Sequence, residues 1–223
     1  MVQHRSRKTR ENVLAAAREL IIERGHEQVS LKDICERSGV SNGSIFHHFG
    51  SKEGIVRQLF AAERGRYLHR VQQAILAHDG DPCDAFAAGT RAALVYQAHN
   101  PLRYERLIAE FADSEWLRRN VDVWLTVASE EEMPVIQWAM KHFASGALPV
   151  LSPSVIQSAF IGPVEILARQ HRQGRLGGDL ETHADDLADF VSAGLRHLRD
   201  KQAAARANAN AATPPLDAAA QSA

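Results

Sequence analysis

The stretch Ser30-Leu-Lys-Asp33-Ile-Cys-Glu-Arg-Ser-Gly39-Val-Ser41-Asn-Gly-Ser-Ile-Phe-His-His-Phe49-Gly-Ser51-Lys-Glu53 carries three helix starts in close succession. Ser30 is placed to cap a first helix, with Asp33 reaching back to complete a capping box and Val29 and Ile34 positioned as a hydrophobic staple. Gly39 ends that helix, because leaving a helix and reversing within a few residues needs a left-handed residue, which glycine supplies without steric cost. Ser41 then caps a second helix, with Val40 and Ile45 repeating the staple. Ser51 caps a third at Lys52-Glu53, whose first turn keeps free N–H groups suited to a phosphate. Two short helices joined by so tight a turn predict a helix-turn-helix.

Placing the second helix at 100° per residue with Ile45 inward puts Phe49 and His48 on the inner half and Gly43 and His47 nearly opposite, flanked by Ser44 and Phe46. A helix that turns a glycine and small polar residues outward in its first turn has no packing reason to do so. It can, however, lie close against base edges in a major groove. The candidate DNA contacts are therefore Ser30, Ser41, Asn42, Gly43, Ser44, Phe46, His47, His48 and Lys52.

These residues carry a resemblance. Ser30-x3-Ile34, Gly39-Val-Ser41-x-Gly43-x-Ile45-Phe-His-His48-Phe49 and Lys52-Glu53-x-Ile55, preceded by a helix ending at Gly25, resemble the DNA-binding domain of the TetR family of bacterial transcription regulators over roughly residues 9 to 60. The chain departs from that pattern at Cys35 and Ser38, where small alanines are common, and at Phe46 and His47, where the family often has two tyrosines. Phe46 lacks the hydroxyl of a phosphate contact expected there. The resemblance implies a two-fold homodimer on a double-stranded DNA operator and a small-molecule effector bound in a helical C-terminal domain.

Composition agrees. An apolar content of 45% and a charged content of 24% are those of a globular protein. No apolar run is long enough to span a membrane, and the basic N-terminus lacks the apolar region of a signal peptide, so a cytoplasmic location without membrane is expected. The net charge of −1 hides an asymmetry: residues 1–52 hold nine Lys or Arg against six Asp or Glu, leaving the rest of the chain net acidic. Arg5, Arg7, Lys8 and Arg10 come before any acid and suit an arm along the phosphate backbone or in the minor groove. Cys35 and Cys83 make neither a disulfide framework nor a metal site and read as small buried residues. No metal and no cofactor are expected, and no nucleophile elbow or phosphate loop points to catalytic residues or an enzyme.

The remaining periodicity is helical throughout, which predicts an all-α fold: an N-terminal three-helix DNA-binding domain with a basic arm (1–52), a helical effector-binding and dimerisation domain (53–201), and a disordered alanine-, asparagine- and proline-rich tail (202–223). Residues 9–24 form a supporting helix with Val13, Leu14, Ala17, Leu20 and Ile21 inward. A long helix follows from Ser51 to about Ala77, with Ile55, Leu59, Ala62 and Tyr67 inward. Pro82 and Pro101 open further helices, a break is expected at 129–134 around Pro134, and helices run from Ser154 to about Gln173 and from His183 to about Lys201. On these last two, Ile156, Phe160, Pro163 and Leu167 on one and Leu187, Val191, Leu195 and Leu198 on the other form apolar stripes, with Gly162, Ala193 and Gly194 allowing close approach. Two such helices from each subunit are expected to make a four-helix dimer bundle, the alternative being burial of the stripes inside the monomer.

The resemblance places an unidentified small-molecule effector among the central helices, where Arg103, Tyr104, Phe111, Trp124 and Trp138 are the candidate ligand contacts. The reading is a ligand-responsive transcriptional regulator, a repressor released from an inverted-repeat operator by a small molecule. The alternative is a regulator of the same fold that is constitutive or controlled by a protein partner, which a centre filled by its own side chains would favour.

Overall fold

The computed structural model describes residues 2–112 and 114–212, with the side chains of 2–5, 112, 124, 125, 127–132, 153, 157 and 210 outside that description. The expected tail residues 213–223 also lie outside it. Every regular element among the described residues is helical.

Helix α1 (Val2–Arg24) ends at Gly25, whose N–H bonds the Ile21 carbonyl at 2.8 Å. Val13, Ala17, Leu20 and Ile21 are buried along it. The expected N-terminal arm is instead the first turns of this helix. Nothing between Val2 and Arg10 breaks a helix, and Arg7 and Glu11 form an i,i+4 pair at 3.5 Å.

Helix α2 (Leu31–Ser38) opens as its sequence dictates. Ser30 Oγ accepts from Asp33 N at 3.1 Å while Asp33 Oδ2 accepts from Ser30 N at 2.8 Å. Hydrogen bonds from Ser30 hold the Asp33 carboxyl below the usual carboxylate range. Gly39 (φ 68°) closes the helix, its N–H bonding the Cys35 carbonyl. Helix α3 (Asn42–Phe49) starts with Ser41 Oγ accepting from Ser44 N at 3.3 Å. Helix α4 (Lys52–Leu76) starts with Ser51 Oγ accepting from Gly54 N at 3.1 Å. A Cβ on Gly54 would stand 1.9 Å from the Phe49 carbonyl oxygen, so the α3–α4 corner closes only around a residue without a side chain.

Helix α5 (Pro82–His99) leads into α6 (101–112), which starts as an α-helical turn at Pro101–Tyr104, widens into a π-helical turn at Glu105–Ala109 and closes at Glu110–Ala112. Helix α7 (Glu115–Arg119) is capped by Ser114 and stops at Asn120. Helix α8 (Val121–Ser145) then runs through Pro134 as one element. The break expected at 129–134 lies at Asn120 instead; a proline removes one donor, and the neighbouring turns still hold the helix. Helix α9 (Pro153–Arg172) is capped by Ser152, with Pro153 in the first turn. A 3-10 turn (Leu180–His183) leads into α10 (Ala184–Ala212). That helix continues past Lys201 through residues assigned to the tail, because an alanine-rich run favours helix even where exposed.

The chain divides into two compact units. The first, through Gln72 together with Val95–Pro134, has one apolar core in which Ile34, Ile45 and Phe49 of the helix-turn-helix meet α1, Ile55, Leu59 and Phe60 of α4, Leu107 and Phe111 of α6, and Val123 of α8. On α4 the expected inward Ala62 is exposed, and its neighbour Glu63 is buried instead. Hydrophobic periodicity assigns a charged residue to the surface and so misplaces the stripe by one position.

The second unit, Gln73–Leu94 with Val135 onward, stacks Phe86 on Phe160 (centroids 4.4 Å apart) and edges Trp138 against Phe86 (5.6 Å). Asp81 receives Arg199 at 2.8 Å, and Asp84 receives Arg196 and Ser192. Burial acts to raise the Asp81 carboxyl, but bonds from Arg199 and the Cys83 backbone N–H outweigh it and hold it at about 2. Burial pushes the Cys83 thiol up to about 11. Cys83 is buried and Cys35 half-buried, and both are free thiols. The stripes expected to face a second subunit are partly consumed here: Phe160, Val191 and Leu195 are buried within the unit, and Ile156, Pro163, Leu167, Leu187 and Leu198 are half-buried. The faces left open are Val155, Ser158, Ala159 and Ile166 on α9 and Phe190, Ala193, Gly194 and His197 on α10.

Candidate nucleic-acid interface

The caps and turn described above fix α3 so that Ile45 and Phe49 are buried and Asn42, Gly43, Phe46 and His47 are exposed. Ser44 and His48 are half-buried, and Ser30 and Ser41 are exposed while their hydroxyls serve as helix caps. Gly43 has no atom within 4 Å of where its Cβ would be, so its own fold does not require a glycine there. His47 lies edge-on to His48 at 5.2 Å. Lys52, half-buried in the first turn of α4, has no carboxylate partner among the described residues. From α1, Arg10 bonds Gln58 at 2.8 Å and lies over the Phe49 ring at 5.7 Å. Lys8, near the start of α1, is exposed. The result is one outward face of small, polar and aromatic groups with cations at its margin.

The first unit also holds polar links that the sequence did not reveal. The Glu63 carboxylate is fully buried and receives Arg103 at 2.6 and 2.8 Å, Arg66 at 2.7 Å and Arg18 of α1 at 3.0 Å. Burial acts to raise its pKa, but Arg103 and Arg66 outweigh it and hold the carboxyl below its ordinary value. Tyr67 packs edge-on to Tyr96 (5.4 Å) and Tyr104 (5.1 Å). Burial, then the Glu63 charge, raises the Tyr96 phenol above its usual value. Nearer α3, the Asn120 side chain donates to Glu53 Oε1 at 3.0 Å and to the Trp116 carbonyl at 2.9 Å and accepts from Arg57, which also bonds Asp122.

The five candidate ligand contacts do not form one group. Arg103 and Tyr104 stand close to Glu63 and Tyr67, with the Arg103 guanidinium occupied by Glu63. Phe111 belongs to the apolar core, against His26 (4.6 Å), Trp116 (4.7 Å) and Phe60 (5.8 Å). Trp138 lies in the second unit beside Phe86 and His142. The Trp124 side chain lies outside the described residues. A cavity of about 320 Å³ at the end of α1 is lined by residues 24–28 with Arg106 and Glu110 and by none of the five. Among the described residues no cluster of three His, Cys, Asp or Glu side chains is arranged for a metal, and no helix is long and apolar enough to cross a membrane.

Two short capped helices around a left-handed glycine, with an exposed small-residue face on the second, define a helix-turn-helix protein. Residues 13–59 match the family model described as bacterial regulatory proteins, tetR family. Over those residues the chain carries the DNA-binding domain found in TetR-type transcription regulators. It is 35% identical over 74 residues to the HTH-type transcriptional regulator UidR of Escherichia coli strain K12, a match covering 33% of this chain and only 38% of that relative. In fold it is similar to a TetR family transcription regulator from Marinobacter aquaeolei (TM-score 0.70, 14% identity, covering 86% of this chain and 98% of that one). It is also similar to the transcriptional regulator FadR from Bacillus subtilis, solved in complex with stearoyl-CoA (TM-score 0.62, 17% identity, covering 83% and 98%).

Proposed function

We propose that this protein is a cytoplasmic transcriptional repressor that binds an inverted-repeat operator as a homodimer and is released by a small molecule. The observation that carries the reading is the outward face of α3, where Asn42, Gly43, Phe46 and His47 are exposed on a helix fixed by caps at both ends. Gly43 lets that helix approach base edges, Asn42 and His47 supply hydrogen bonds, and Lys52 with the first N–H groups of α4 holds a phosphate. The functional division is placed at 52/53, so that the DNA face is presented by α1–α3 together with Lys52, the first residue of α4.

The dimer uses α9 and α10, through the faces the monomer leaves open. Phe190 is 74% exposed, Val155 and Ile166 lie along one line of α9, and a Cβ at Gly162 or Gly194 would meet nothing within 4 Å. Small residues that the chain itself does not need are suited to a close crossing by a second copy. Two recognition helices on one two-fold axis then enter major grooves about 34–36 Å apart, or a multiple of that.

A ligand lowers operator affinity only by favouring a different separation of those helices, so operator and ligand must weaken one another equally. Stearoyl-CoA, the compound held by the Bacillus subtilis neighbour, is the first probe. The occupation of Arg103 by Glu63 favours the second reading, control by a protein partner or none. Sequencing duplexes retained from a random pool tests the DNA reading: an enriched inverted repeat is expected, and no enrichment would overturn it. Calorimetry of an identified ligand with and without operator tests release, which equal affinities would rule out.

A further inference from the structure

We propose that Phe46 determines operator specificity by reading the C5-methyl group of a thymine; this rests on the DNA-binding reading above. Phe46 is 62% exposed on the outward half of α3, and no other ring among the described residues stacks on it. It belongs neither to the apolar core nor to the partly buried residues packed on that core, so the fold gives it no packing role. A single exposed apolar side chain is ordinary, but this ring stands on the outward half of the helix whose exposed face is the candidate base-reading surface, so what α3 meets is what the ring meets.

The chemistry narrows what that is. A phenyl side chain neither donates nor accepts a hydrogen bond, so it does not hold a phosphate and does not read the donors and acceptors of base edges. The major-groove edges carry one apolar feature, the thymine methyl group. The geometry supplies the approach. Gly43 has open space where a Cβ would be and lies on the adjoining line of the helix, which lets α3 sit deep enough for the ring three residues on to touch a base. Asn42 lies one turn before Phe46 on the same side and is exposed. Its amide can pair bidentately with adenine, so the two side chains together select a site rich in A·T pairs.

The test uses the full-length protein and the operator sequence recovered from a random duplex pool. Each thymine is replaced in turn by deoxyuridine, which removes the methyl and nothing else. At one thymine in each half-site the affinity of the wild type should fall roughly four-fold, the equivalent of one buried methyl, with smaller changes elsewhere. Phe46→Ala, checked for unchanged helicity, should bind thymine and deoxyuridine operators equally and should lose the preference for thymine at that position in a repeated selection. Changing that thymine to cytosine should weaken wild-type binding, and 5-methylcytosine at the same place should recover part of it. Wild-type binding indifferent to deoxyuridine at every thymine would overturn the proposal. So would a deoxyuridine penalty of the same size in Phe46→Ala, or a Phe46→Ala loss equal on all sequences, the mark of a backbone contact. Failure to enrich any sequence would instead sink the DNA-binding reading, and this inference with it.

Discussion

Replacing Glu63 by glutamine keeps the shape of the side chain and removes the charge that holds three arginines. Glu63 has no exposed surface, whereas Arg18, Arg66 and Arg103 keep 28%, 45% and 32% of theirs. Removing one partner of a buried pair costs about 3–5 kcal/mol, because the remaining charges stay where water cannot fully reach them. Water does reach these guanidinium groups in part, so the lower end applies, about 3 kcal/mol. For a chain of this length that corresponds to a fall of about 6–12 °C in melting temperature. The pH dependence has a fixed sign. The folded-state pKa of Glu63 lies below its ordinary value, so its contribution is complete above the ordinary pKa and is lost as pH falls through the lower, folded value. Thermal melts of wild type and Glu63→Gln should therefore be far apart near neutral pH and converge in acid. In an Arg103→Gln background the same substitution should cost less, since the two side chains share one interaction. A Glu63→Gln melting temperature within about 2 °C of wild type at neutral pH, or an equal cost in both backgrounds, would refute the reasoning.

Gly54→Ala should lose about 2 kcal/mol in denaturant titration, because its Cβ meets the Phe49 carbonyl at 1.9 Å. Gly43→Val, with nothing within 4 Å, should keep the fold and the dimer while abolishing operator binding; retained binding would move the recognition face elsewhere. Lys52→Ala should weaken binding to all sequences and reduce the slope of log affinity against log salt by about one unit, and an unchanged slope would argue against a phosphate contact. Phe190→Glu should give a folded monomer by sedimentation, whereas a dimer of wild-type stability would place the interface off the exposed face of α10.

The parts of the fold that were legible in the sequence are those fixed by local chemistry. Ser30 with Asp33, Gly39, Ser41 and Ser51 each satisfy or end a helix within four residues of themselves, and each stands where the sequence places it. The faces of α3 were legible for the same reason, since a short helix with one buried isoleucine has only one way to lie. What escaped depends on partners distant in the chain. Glu63 is inward only because Arg18 and Arg103 come to it from other helices, so no period on α4 could separate it from Ala62. The apolar stripes of α9 and α10 were visible, but whether Phe160 and Val191 serve the monomer or a second copy depends on how deeply each helix is set. Pro134 marked a break that the neighbouring turns override, and the amide of Asn120, where the helix does stop, carries no sequence signature.

That amide also gives the junction a polarity. Its oxygen faces Arg57, its nitrogen serves Glu53 and the Trp116 carbonyl, and turning it over would set donor against donor and acceptor against acceptor. An aspartate of the same size would bring a negative charge to Glu53, and a leucine would remove the side-chain bonds to Arg57, Glu53 and the Trp116 carbonyl. The position therefore favours one residue in one orientation, and its partner Glu53 follows Lys52 in the chain. The α7–α8 corner and the first turn of α4 are thereby joined through one amide whose two ends are not interchangeable.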